Sequence, residues 1–224
     1  MELQLFEKFI LVALDQKKGK FLIDSLSLNY GLAGSILLEL SELNKIIIKN
    51  KRIVTSDKKL TNNLIIDTCI KLINSTRKDR KPRYWIYKIG NKSSKFRKII
   101  LKDLYDKRII RIDKKEFLWG LITIKRYPVI NPKEVNEIKS KLKRIVLENE
   151  KSDIEAILLL SLMASCKLTR ILFATKKEHR AAGKRIKELT NNIEISEAVS
   201  QTLREIQAAI IVATTSTFVS STSN

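Results

Sequence analysis

The sequence predicts a mainly α-helical, single-domain helix bundle carrying short β-hairpins. Three observations lead there. Apolar residues recur at helical spacing through most of the chain. Gly (6) and Pro (3) are scarce for 224 residues, which argues against a turn-dense β-sandwich. Hydrophobic residues reach 44% and charged residues 30%, enough apolar material for one large core. The expectation is a single domain over residues 1–224, ending in a polar tail at 215–224.

The first helix is expected over 2–15, with Leu3, Phe6, Ile10 and Leu14 on one face, and the run Lys17-Lys18-Gly19-Lys20 ends it. From Tyr30 to Leu43 the pattern is that of a buried, central helix. Its small residues Ala33, Gly34 and Ser35 predict close approach of a neighbouring helix. Two β-branched runs between Lys45 and Val54 flank a polar turn, a short hairpin signal, and 62–74 returns to helical spacing. Residues 77–83 hold five cations and a proline, so they are read as an exposed linker before helical patterning resumes around Trp85. Over 94–107 a basic amphipathic helix turns Phe96, Ile100, Leu101 and Leu104 inward and Lys95, Arg97, Lys98 and Lys102 mostly outward.

A second hairpin is expected to pair 109–112 with 117–124 through a turn at 113–116. Its second strand is the most apolar and aromatic of the chain. Four further helices follow: 132–148 capped by Asn131 with Pro132 first, 152–174 opened by Ser152, 176–190 and 195–214. No repeat of fixed period is present.

Net charge is +20, and residues 75–126 supply +13 of it, with 18 Lys/Arg against 5 Asp/Glu. So local an excess predicts a phosphate-rich partner, either lipid headgroups or nucleic acid. The N-terminal stretch lacks the basic start and cleavage site of a signal peptide, and Ala208 to Val219 is short for a bilayer, so membrane contact is expected to be peripheral. Cys69 and Cys166 sit in apolar contexts without metal-ligand or CxxC spacing and are read as buried thiols in a reducing, cytoplasmic setting.

No Gly-rich phosphate loop, HExxH, GxSxG or paired-carboxylate motif occurs, so no catalytic residue, metal ligand or cofactor is assigned. His179, the only histidine, is read as a solvated helix residue, and Asp67 and Asp153 as acids capping or compensating helix starts. A winged-helix nucleic-acid binder is the alternative reading, because helix-then-hairpin occurs twice. Against it, neither preceding helix carries the Arg, Asn and Gln cluster that reads base edges.

The segments LVALDQKKGK, GLAGSILLELSELNKI, LIIDTCIKLI, WIYKI, LKDLYDKRIIRIDKKEFLWGL, RYPVINP, KRIKELT and EIQAAIIVA, in this order, resemble the Golgi phosphoprotein 3 (GPP34) family over nearly the whole chain. The resemblance implies a helix bundle with an apolar hairpin on a basic face. It also implies binding of phosphatidylinositol 4-phosphate and of cytoplasmic tails of membrane proteins. The family's headgroup residues, a tryptophan and three arginines, fall at Asp24, Ala33, Ser94 and Arg97, so only Arg97 matches. A looser acidic-lipid site is therefore expected from Arg97, Lys95, Lys98, Lys92 and Arg126. Phe117, Leu118, Trp119 and Leu121 are expected to contact the membrane or a second subunit, making the 109–124 hairpin a candidate homo-oligomer contact.

Overall fold

A computed structural model of the chain describes residues 2–117, 122–191 and 197–219. Among the described residues it is a helix bundle of ten helices with two antiparallel hairpins, built round one continuous buried apolar cluster.

Helix α1 (Leu5–Ala13) is buried on nearly every side, and only Lys8 escapes the interior. Helix α2 (Ser25–Glu42) is the axis of the bundle, touching α1, α4 (Pro82–Gly90), α7 (Ile154–Ser165) and α10 (Glu197–Val219). It starts five residues before the expected Tyr30. The Asp24 carboxylate accepts from the backbone N–H groups of Leu26 and Ser27, both at 2.9 Å, and so caps a turn whose serines and asparagine had looked like loop. The predicted close approach is present, and it is tight. A Cβ on Gly34 would lie 2.5 Å from Ile210 Cδ1, and one on Gly31 2.3 Å from Phe9 Cζ and 2.6 Å from Cys166 Sγ.

The first hairpin pairs β1 (Ile46–Lys49) with β2 (Arg52–Thr55) through Asn50 and Lys51, both at positive φ as a tight hairpin turn demands. Helix α3 (Leu64–Asn74) follows, with Asn63 as its cap and Asp67 accepting from the backbone and hydroxyl of Thr61. The linker 77–83 is exposed as expected except for buried Pro82, which opens α4. Trp85 is fully buried with its ring edge-on to Tyr84, so it anchors α4 and is closed to a ligand. On α5 (Ser93–Asp106) Phe96, Ile100, Leu101 and Leu104 point inward, as the periodicity required.

The second hairpin differs from expectation. Strand β3 (Asp113–Phe117) pairs with β4 (Ile122–Arg126) in the register Asp113↔Arg126 to Phe117↔Ile122, so residues expected to form the turn form a strand. Ile109 and Ile110 instead close the end of α5. Arg108 takes a left-handed φ of 56°, Ile109 N–H donates to Leu104 O at 3.0 Å, and both isoleucines are buried, Ile110 bridging to Val129. The ribbon stands in solvent at Lys114 and from Thr123 to Lys125, so no core enforced the alternation used to predict it. Leu118, Trp119 and Leu121 lie outside the described residues, as does the Phe117 side chain.

Helix α6 (Pro132–Leu147) begins at Pro132 after the Asn131 cap. The expected single helix 152–174 is two: α7 and α8 (Thr169–Leu172), separated by Lys167 at φ 58°. Because Leu168, Leu172 and Phe173 are also buried, the apolar pattern runs on through the break and conceals it. The cap of α7 is Asp153, which accepts from Ala156 N–H at 2.9 Å, and not Ser152. Helix α9 (Lys176–Asn191) matches expectation within a residue, and α10 runs to Val219. Cys69 and Cys166 are free and buried; burial pushes the Cys69 thiol up to about 12 and raises that of Cys166 too.

Replacing Gly31 by Ala should lower stability by about 1–3 kcal/mol, because the rigid Phe9 ring has nowhere to go. Gly34→Ala should be milder, since the Ile210 methyl can rotate away. Thermal or urea unfolding of the two variants checks the order.

Candidate functional site

Four chain segments converge on Arg97. Helix α5 carries the arginine, whose guanidinium donates to Asn29 Oδ1 on α2 at 3.0 Å and stacks over the Phe21 ring with 5.5 Å to its centroid. Phe21 lies 6.4 Å, centroid to centroid, from Tyr127, which follows the β3–β4 ribbon. Burial draws the Arg97 guanidinium below its usual value and raises the Tyr127 phenol. Arg97 is half-buried, and no carboxylate pairs with it among the described residues. An arginine held by an amide and a ring keeps its charge and has donors to spare for an anion.

Gly19 aligns this corner. At φ 61° it adopts a left-handed conformation, and its carbonyl accepts from Tyr127 N–H at 2.8 Å. A Cβ there would fall 2.3 Å from Pro128 N. Val129 N–H donates to Gln16 O, while Pro128 O accepts from Arg111 N–H, both at 2.9 Å, so 127–129 is clamped between two strips of backbone. The root of the ribbon is thereby fixed beside Arg97.

Of the predicted site residues, Lys92, Lys95 and Lys98 are exposed around the start of α5 and carry no ion pair among the described residues, and Arg126 is half-buried next to Tyr127. The sequence reading missed Phe21, Asn29, Tyr127 and Gly19. Gly19 was visible only as a helix stop among lysines, and the RYPVINP turn gave no hint that its tyrosine would face an arginine thirty residues earlier. His179, expected in solvent, is half-buried with its Nδ1 enclosed and without a hydrogen-bond partner.

A family model described as Golgi phosphoprotein 3 (GPP34) matches residues 5–206. The chain belongs to the Golgi phosphoprotein 3 family. It is similar to vacuolar protein sorting-associated protein 74 of Schizosaccharomyces pombe, with 29% identity over 161 residues, which is 62% of this chain and 47% of that protein. The matched region thus spans about half the length of that relative. Among the described residues of this Golgi phosphoprotein 3 family member, no helix is long and apolar enough to cross a membrane.

Of the four positions at which the resemblance led headgroup residues to be expected, only Arg97 takes part in the cluster just described. Asp24 caps α2, Ala33 is fully buried in the α2 packing, and Ser94 is an exposed residue of the first turn of α5. The first helix-then-hairpin unit is also closed to nucleic acid, since α2 is sequestered among four other helices.

Away from Arg97 lies a cavity of about 900 Å³ whose walls include Glu2, Glu39, Glu42, Asp153, Glu155 and Glu188. Its field opposes anionic headgroups. Glu39 is 7% exposed and accepts from Leu5 N–H at 2.6 Å; burial, with Glu42 and Glu155 nearby, pushes its carboxyl up to about 7 against the opposing Leu5 bond and Lys8. Folding thus favours the protonated form, and stability present near pH 4.5 is lost as pH rises to about 7. Glu39→Gln should flatten this decline and raise the melting temperature at pH 8, as measured by thermal scans between pH 5 and 9. Gly19→Ala should cost roughly 1–2 kcal/mol of backbone strain before any clash with Pro128 is counted. Tyr127 fluorescence would report the displaced corner.

Proposed function

We propose that the protein is a non-catalytic, cytoplasmic, peripheral membrane protein that binds acidic phospholipid headgroups, phosphoinositides among them, through the surface around Arg97. The observation that carries this reading is a half-buried arginine with no acid partner among the described residues, on a helix whose start also exposes Lys92, Lys95 and Lys98, with Arg126 half-buried at the root of the ribbon. Each cation near an acidic leaflet contributes about 1 kcal/mol, so four or five together give useful affinity without a deep pocket. Membership of the Golgi phosphoprotein 3 family supports the same reading, and it suggests cytoplasmic tails of membrane proteins as further partners. The loss of three of the family's four headgroup residues favours general acidic-lipid binding over one phosphoinositide. The strands 113–117 and 122–126, rooted beside Arg97, would carry the apolar residues between them toward the same leaflet or toward a second subunit.

Sedimentation with vesicles tests this. The protein should pellet with phosphatidylcholine–phosphatidylserine vesicles and not with phosphatidylcholine alone, and binding should fall as salt rises. The triple variant Lys92→Glu, Lys95→Glu and Lys98→Glu, which leaves Arg97 and the core untouched, should weaken binding by at least about tenfold. Replacing Arg97, Lys95 and Lys98 together by Glu should abolish binding through this surface, with the melting temperature measured alongside to confirm a folded protein. Equal binding to neutral vesicles, or binding indifferent to these changes, would exclude the surface.

A further inference from the structure

Helix α9 gathers exposed cations in one row. Its exposed side carries Lys177, Arg180, Lys184 and Lys187, spaced three and four residues apart in one row about 15 Å long. Of its two acids, Glu178 folds back on the N-terminus and Glu188 reaches Arg185 and Lys184. Glu178 Oε2 accepts from Thr175 N–H at 3.3 Å while Glu178 N–H donates to the Thr175 hydroxyl, closing the N-terminus of the helix. Glu188 lines the acidic cavity and faces Arg185 at 3.5 Å; its contact with Lys184 is a loose 4.0 Å. Lys177, Arg180 and Lys187 have no ion pair among the described residues.

This row runs against helix physics twice. Like charges three and four residues apart disfavour the helix, and Lys176 and Lys177 place positive charge at its N-terminal end, where the backbone dipole is already positive. Glu178 in the first turn and Glu188 beside Lys184 offset these effects only in part, and Lys177, Arg180 and Lys187 keep no acid partner among the described residues. An anionic surface outside the molecule would offset what remains of both.

The row is also far from Arg97. Helix α5 packs on α2, α2 on α7, and α7 on α9, so two helices intervene between the basic faces. Between the cations lie Ala181 and Gly183, and a Cβ on Gly183 would meet nothing within 4 Å, leaving the row low and open. Helix α9 contains no Phe, Tyr or Trp on which a base could stack, which favours lipid headgroups over nucleic acid.

We propose that the outer face of α9 is a second binding surface for an acidic bilayer, making the protein bivalent and able to bridge two membranes. The bridging rests on the reading of the Arg97 surface given above; the α9 surface does not. Dynamic light scattering of phosphatidylcholine–phosphatidylserine vesicles tests it, with pelleting measured in parallel. The full chain should cluster vesicles at low protein-to-lipid ratio, and clustering should fade when protein is in excess and each vesicle is coated. The variant Lys177→Gln, Arg180→Gln, Lys184→Gln and Lys187→Gln should still pellet with vesicles but lose clustering. The Lys92, Lys95 and Lys98 charge-reversal variant should also lose clustering while retaining weakened, salt-sensitive pelleting through α9.

Wild-type protein that pellets without clustering would overturn bridging and leave the Arg97 reading intact. Clustering unchanged in the α9 variant would overturn it too, since the second contact would then lie elsewhere, for example between copies of the chain. Pelleting that survives charge reversal around Arg97 and vanishes only in the α9 variant would sink the Arg97 reading and keep the α9 surface. If the α9 substitutions abolish binding of a short RNA duplex and leave clustering untouched, the face serves nucleic acid and the proposal fails.

Discussion

The close approach of α2 to its neighbours is the constraint on which the rest depends. Gly31 and Gly34 let the Phe9 ring, Cys166 and Ile210 reach the α2 backbone at distances where a methyl group would not fit. Because α2 can therefore be surrounded, α1, α4, α7 and α10 share one core in place of forming separate pairs. The same helix presents half-buried Asn29 near its start, and Asn29 is what holds Arg97. A packing requirement at Gly31 thus bears on Asn29, two residues away, and through it on a charge carried by another helix.

Charge is distributed by the same architecture. The excess carried by 75–126 becomes the Arg97 corner and the exposed α4–α5 surface, where Arg80 and Arg83 also lie over the rings of Tyr84 and Tyr87. The acids gather at the other side of α2, where Glu39 is buried under the first turn of α1 and Lys8 pairs with Glu155. Glu7, almost fully buried, is satisfied by Lys107 at 2.5 Å, a contact joining α1 to the end of α5. Buried acids paired across elements specify how α1 seats, whereas the unpaired surface cations remain available for a partner.

Much of this was legible because the bundle obeys local rules. The α5 face, the Asn131–Pro132 start and the tight turn at Asn50 and Lys51 follow from periodicity, capping and turn chemistry. The failures share one cause. At Ile109–Ile112 an apolar run was taken for a strand, although Arg108 ends the helix and turns the first two isoleucines into the core. At Lys167 a left-handed residue broke a helix whose apolar pattern continued. Local apolarity records burial, and burial alone does not say which backbone conformation delivers it.

By itself the sequence determined the mainly helical class, the central buried helix with its small-residue seam, the placement of net charge, and the family to which the chain belongs. Each is encoded in residue type and spacing. Only the tertiary structure decided that Arg97 would meet Phe21, Asn29 and Tyr127, that Gly19 would clamp the ribbon beside them, and that a row of α9 cations would stay exposed. Those arrangements join residues distant in the chain through packing geometry, and spacing along a sequence carries no record of which distant segment will arrive opposite.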